Sequence, residues 1–240
     1  METQISTKQA LAYSLLAAAT YHLASLGGPW ITVLPLFFIA LIKQAEVGKA
    51  RVSFYCGLLS GMLIYSIHLR FFSYIFSTAA IGLWLILSFW MALFVLGSHF
   101  IKRRLKSKLS AVFIALLYFS LEVFRSELYP LKFSWGTAGL HTFKSASQLG
   151  LSWTGVYGFS FIVILIISLG LTFKRKTASL IIATLCVLLA VFSSIPNSSN
   201  MSNTQAPLIT GIQLEFPDKK ELLNALNKAI KAHPKSDIFM

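Results

Sequence analysis

Seven apolar stretches, at 9–26, 29–44, 52–69, 79–101, 109–124, 155–173 and 178–195, are separated by gaps, and positive charge is concentrated in every second gap. The charged gaps carry Lys8; then Lys43, Lys49 and Arg51; then Lys102, Arg103, Arg104, Lys106 and Lys108; then Lys174, Arg175 and Lys176. These hold more than half of the 21 Lys and Arg residues, while the intervening gaps hold Arg70 and then Arg125, Lys132 and Lys144. Lys and Arg near span ends stay on the cytoplasmic side during insertion, so the alternation reads as a topology. It predicts a cytoplasmic N-terminus, seven crossings and a tail outside. Helices that satisfy their own peptide groups are the structure that suits such stretches, which makes the expected fold an all-α polytopic membrane bundle of about seven transmembrane helices.

The net charge of +13 invites a nucleic-acid reading, but only 12% of residues are charged and 56% are hydrophobic. The basic residues form short clusters beside apolar spans rather than one continuous face, so orientation and anionic headgroups account for them and nucleic acid does not. The stretch at 29–44 is short and carries Pro35, which alone would allow a re-entrant segment. Were it not to cross, the clusters at 43–51 and 102–108 would face opposite sides. It is therefore read as crossing, in a tight hairpin with the first span over Gly27-Gly28-Pro29. The first span, preceded by Glu2 as well as Lys8, lacks the positive n-region of a cleaved signal and is read as retained.

The outside gap from Arg125 to Thr154 is no polar linker. It interleaves Tyr129, Pro130, Phe133, Trp135, Phe143 and Trp153 with Gly136, Gly139 and Gly150. Aromatic rings favour the headgroup layer and glycines let the backbone turn tightly, so the loop lies along or dips into the outer interface. It is either an interfacial anchor or part of a lipid-binding mouth.

Three segments follow from these patterns: a helical membrane domain at 1–195, a Ser/Asn-rich linker at 196–207 and a tail at 208–240. In the tail, Leu208–Leu214 suits a buried strand. Pro217 and Asp218 open a helix with Glu221 at capping-box spacing, and Leu222, Leu223, Leu226, Ala229 and Ile230 form one apolar face. His233-Pro234 ends it, and Asp237-Ile238-Phe239-Met240 starts a second strand. Strand, crossover helix and strand make the opening of an α/β domain, and about 30 residues do not bury a core of their own.

In this order the pieces resemble the bacterial apolipoprotein N-acyltransferases, inner-membrane enzymes that move a fatty acyl chain from a phospholipid to the N-terminal cysteine of a lipoprotein. Glu122-Val123-Phe124-Arg125 resembles the family's Glu-x-x-Arg element. Phe133-Ser134-Trp135-Gly136 is similar to its Phe-Pro-Trp segment, with serine in the proline's place, and Gly155-Val156-Tyr157-Gly158-Phe159-Ser160-Phe161 to its Gly-x-x-Gly-x-x-Phe entry into the sixth span. Ile212-Gln213-Leu214-Glu215 resembles the Val-Gln-Gly-Asn of the first strand of its nitrilase-like (carbon-nitrogen hydrolase) domain. The resemblance implies an inner-membrane, multi-pass protein with a periplasmic tail that is the incomplete start of that domain. It implies a phospholipid acyl donor and a lipoprotein acceptor, and no cofactor. The family's Glu-Lys-Cys catalytic set would follow Met240, so no catalytic residue is expected among these 240 and the chain alone is expected to be inactive. An anchor or assembly subunit for a separately encoded catalytic domain, and a small transporter, are the other functions open to such a chain.

The candidate substrate- or lipid-binding residues are Glu122, Arg125, Trp135, Trp153 and Tyr157. Glu122 and Arg125, three apart on one helix face, are either a local ion pair or a positioned cation for the donor's phosphate. Trp135 and Trp153 are interfacial anchors or line an acyl-chain cleft. Gly155 and Gly158 are expected to permit close helix approach. Cys56 and Cys186 fall inside apolar stretches and read as buried small hydrophobes. His22, His68, His99 and His141 lack metal-site spacing, and no metal is expected.

Overall fold

In hydrocarbon a peptide group has no water to bond, so an apolar stretch satisfies its own N–H and C=O groups by coiling. All seven stretches are helical in the computed structural model, which describes residues 4–142, 148–194, 209–210, 212, 218–234 and 238–239. They are α1 (Thr7–Ser25), a 3-10 turn (Gly28–Val33) continuing into α2 (Leu34–Gln44), α3 (Ala50–His68), α5 (Ala79–Arg104), α6 (Ser107–Val123), α7 (Gln148–Gly170) and α8 (Arg175–Ser194). A short α4 (Phe72–Phe76) lies between α3 and α5. By length and composition three segments are able to cross a membrane: Ala50–His68, Ala79–Arg104 and Ser107–Leu128. The apolar helices over Gly28–Gln44, Thr154–Gly170 and Lys176–Val191 are shorter. The charge pattern, not helix length, thus carries the seven-crossing reading. Gly28–Gln44 is longer than its residue count suggests. Six residues at about 2.0 Å and eleven at about 1.5 Å give about 28 Å, close to the ~30 Å hydrocarbon core.

Pro35 sits in the first turn of α2, where no intrahelical N–H is required of it, so it starts the helix and does not break it. The hairpin into that segment turns on Gly27 (φ +73°) and Gly28 (φ +57°), as its sequence implies. Ser6 caps α1: its hydroxyl accepts the Gln9 N–H at 3.3 Å while the Gln9 side chain accepts the Ser6 N–H at 2.8 Å.

Helices α3 and α5 pack backbone to backbone. A Cβ on Gly57 would lie 2.8 Å from Ala92 Cα, and one on Gly61 would lie 2.5 Å from Ser88 Cα. Small residues four apart let the two backbones meet. A buried polar seam runs beside this contact. Gln44 Nε2 donates to Ser60 Oγ (3.0 Å), His99 Nδ1 donates to the Ala45 carbonyl (2.9 Å), and the Ser53 hydroxyl donates to the Gln44 carbonyl (3.3 Å). Ser14 Oγ donates to the Cys56 carbonyl at 3.2 Å, tying in α1. The seam lies towards the end of the bundle that carries the basic clusters. There Glu46 accepts from Lys43 (2.9 Å) and Lys102 (2.7 Å), the ion pairs found among the described residues.

Residues Met1–Asn197 form one compact unit and Ser198–Met240 a second. Within the second, strands β1 (Ile209–Thr210) and β2 (Ile238–Phe239) pair in parallel, Ile209 opposite Ile238 and Thr210 opposite Phe239. A parallel pair needs a crossover, and α9 (Lys219–Ala232) provides it. The α9 N-terminus is capped by Asp218, whose carboxylate accepts the Glu221 N–H at 2.6 Å. Of the strand expected at 208–214, residues 208, 211, 213 and 214 lie outside the described residues.

Candidate functional site

Helix α6 does not end as an α-helix. It widens into a π-helical turn, Phe124–Leu128, closed by the Tyr129 N–H to the Phe124 carbonyl at 2.7 Å. Single π turns of this kind recur at functional sites, where the wider turn re-aims side chains. Here Glu122 lies in the last α turn and Arg125 in the π turn, and each is only 4% exposed.

The two do not form the ion pair that their spacing allowed. Arg125 Nη1 instead donates to the Tyr65 hydroxyl of α3 at 2.6 Å. Glu122 Oε1 accepts a backbone proton, the Ala138 N–H, at 3.1 Å. That bond draws the loop that follows the π turn into the bundle. Gly136, Thr137, Ala138 and Gly139 are all buried, and the Gly139 N–H donates to Ser160 Oγ of α7 at 3.1 Å. The dip requires glycine at 136. Its φ is +84°, and a Cβ there would meet Tyr65 Cε1 at 3.0 Å and Tyr21 Oη at 3.2 Å. Buried backbone donors need acceptors, and a carboxylate in a low-dielectric site is a strong one. The segment at 136–139 therefore dips into the helix bundle.

Trp135, one residue before the dip, stays outside and is 51% exposed. Its ring lies 5.6 Å from Phe71, 6.1 Å from Phe72 and 5.8 Å from Phe133, centroid to centroid. The result is an aromatic platform of loop and α4-side rings above the Glu122 anchor. Tyr157 on α7 donates to Glu127 of the π turn at 2.5 Å, fastening α7 to the same turn. Trp153 lies on α7, but its side chain is outside the described residues. Beneath the platform is a cavity of about 20 Å³ lined by Trp90, Met91, Phe94, Tyr118, Leu121, Glu122 and Arg125. It has room for about one water.

Sequence reasoning singled out Glu122, Arg125, Trp135, Trp153 and Tyr157, and did not single out Tyr65, Ser160, Phe71 or Phe72. Tyr65 carried a usable signal, a hydroxyl in an apolar span that must find a partner. The aromatic run Phe71-Phe72-Ser73-Tyr74 in the gap after the third span carried another. Gly155 and Gly158 are corrected. A Cβ on Gly155 would meet nothing within 4 Å, and its φ of +66° marks a kink in α7; a Cβ on Gly158 would meet only Thr154 of its own helix. Cys56 is buried and Cys186 half-buried, both unpaired as thiols. Among the described residues no group of His, Cys, Asp and Glu is arranged to hold a metal.

Residues 12–169 match the family model described as apolipoprotein N-acyltransferase N-terminal domain. No curated protein matches the chain.

Proposed function

The chain belongs to the apolipoprotein N-acyltransferase family through its N-terminal domain, and from that premise we propose that it is the membrane portion of an enzyme of lipoprotein maturation. The reaction is transfer of a fatty acyl group from a phospholipid ester to the α-amine of a lipoprotein's N-terminal cysteine. A thiol nucleophile takes the acyl group as a thioester, releasing the lysophospholipid, and the amine then displaces the thiol. The family's Glu-Lys-Cys set would perform those steps, and no residue described here is assigned to it. What this chain supplies is reception: an apolar bundle in the inner membrane, with an outer mouth where two lipid-bearing substrates are presented. Residues 208–240 are read as the first strand, crossover helix and second strand of the nitrilase-like domain.

One observation carries this reading. The outer loop is pinned inward at Ala138 by Glu122, so that Trp135 is held at the rim beside Phe71, Phe72 and Phe133. A rigid aromatic rim above a buried carboxylate and guanidinium suits a substrate whose acyl chains stay in the membrane while its headgroup or peptide stands above it. The anchor-subunit reading places the same surface in the same role, with the chemistry on another chain.

The test is photolabelling in membranes. A diacylglyceryl-cysteinyl peptide with a photoreactive group near its cysteine should label the loop at 133–139, and Trp135→Ala should reduce labelling by roughly tenfold, as for an aromatic anchor. Labelling equal to that of a peptide without the diacylglyceryl group would overturn the proposal.

A further inference from the structure

At the other end of the bundle, about 22 Å along α6 from Glu122, the ends of α2, α5, α6 and α7 enclose a cleft with no part in the outer mouth. Its cavity measures about 140 Å³ and is lined by Lys43, Glu46, Lys102, Ser107, Ser110 and Ser168, with Ile42, Ile114 and Leu171 among its apolar walls. A second cavity of about 400 Å³ shares Glu46, Lys102 and Ser107 and adds Arg103 and Gln4. The first alone is roughly ten times what one water requires.

Four features make this a built site for an anion. The Lys102 ammonium spends one bond on Glu46, at 2.7 Å, and retains two further protons, while its side chain is only 11% exposed. Lys43 spends its bonds on the same carboxylate, so the lining carries two cations against one anion. Ser168 is 4% exposed, and its hydroxyl has no partner among the described residues. A buried hydroxyl left unpaired is costly, and a ligand oxygen would recover that cost. Lastly, α6 starts here with no side-chain cap, so the first-turn N–H groups beside Ser107 are available to negative charge.

The geometry points to a binding site for the phosphate of an anionic phospholipid, in the leaflet at the basic end of the bundle. Phosphate oxygens accept from Lys102, from Ser168 and from the α6 amides. The apolar walls of Ile42, Ile114 and Leu171 suit the glycerol and first acyl carbons, which a free phosphate lacks. Glu46 weakens the attraction but holds both ammoniums in place, so the site selects a headgroup with net negative charge and not any headgroup. The site binds a lipid independently of the acyl-transfer reading, and its test does not use activity.

Binding of dioctanoylphosphatidylglycerol, dioctanoylphosphatidylcholine and inorganic phosphate to the full chain in neutral detergent provides that test. The anionic lipid should bind about tenfold more tightly than the zwitterionic one. Lys102→Gln should cost about tenfold and Ser168→Ala about fivefold, the usual worth of a charged and a neutral hydrogen bond. Glu46→Gln should tighten binding several-fold, a direction that loss of folding does not produce. Phosphatidylglycerol and phosphatidylcholine binding alike, or all three variants binding as the parent does, would overturn the site. Inorganic phosphate that binds equally well and fully displaces the lipid would overturn the lipid as occupant and assign the cleft to a soluble anion.

Discussion

Replacing Gly136 by alanine should release the outer loop from the bundle, and the size of the effect follows from two separable costs. The φ of +84° is left-handed backbone, which costs an L-residue about 1–2 kcal/mol. The added methyl also lies 3.0 Å from Tyr65 Cε1 and 3.2 Å from Tyr21 Oη, and both tyrosines are fully buried, so relief requires moving packed rings at about another 1–2 kcal/mol. The sum, about 2–4 kcal/mol, would raise the open population of the loop by about 30- to 700-fold. Hydrogen exchange of the peptide covering 134–139 reads this directly, because the Ala138 and Gly139 amides are held by Glu122 and Ser160. Gly28→Ala is the control. That residue has φ +57° with nothing within 4 Å of its Cβ, so it carries strain alone. Exchange at 134–139 within about threefold of the parent in Gly136→Ala would refute the claim that the dip depends on this glycine.

Gly61→Ala should lower the thermal midpoint in detergent, by the ~1–3 kcal/mol typical of overpacking, because its Cβ would sit 2.5 Å from Ser88 Cα; Gly82→Ala, with nothing within 4 Å, should be neutral or slightly stabilising. Equal midpoints for the two would mean that α3 and α5 do not pack this closely. Reporter fusions after Lys106 and after Ser199 should report opposite sides of the membrane, and a shared side would break the charge-parity topology at 29–44 first. A protein of these 240 residues, supplied in membranes with phospholipid and a diacylated lipoprotein peptide, should yield no triacylated peptide above mock membranes, since neither Cys56 nor Cys186 is placed as an exposed nucleophile with a base. Donor-dependent product would reveal a mechanism that uses neither thiol.

Features carried by local chemistry were legible. The Gly27-Gly28 hairpin, the Asp218 cap of α9 and its end at His233 all follow from residues within a few positions of each other. The placement of Glu122 and Arg125 was not legible, because each finds its partner far away in sequence. Glu122 bonds a main-chain N–H 16 residues on, and no side chain advertises a main-chain donor. Arg125 reaches a tyrosine 60 residues back. The π turn that holds Arg125 has no residue code. For the glycines the error had a simple form. Gly155 was read for space and is used for φ, while Gly57 and Gly61, spaced for a backbone contact, provide the close approach.

The buried seam of Gln44, Ser60, Ser53, His99 and the Ala45 carbonyl works as an index pin. Slipping α3 by one turn, about 5.4 Å, would break the Ser60–Gln44 and Ser53–Gln44 bonds together, while the His99–Ala45 bond ties α5 to the end of α2. Ring contacts such as those around Trp135 lose far less on a small displacement, since an aromatic edge re-forms against the next ring it meets. The two ends of the bundle are thus unequal in what they tolerate.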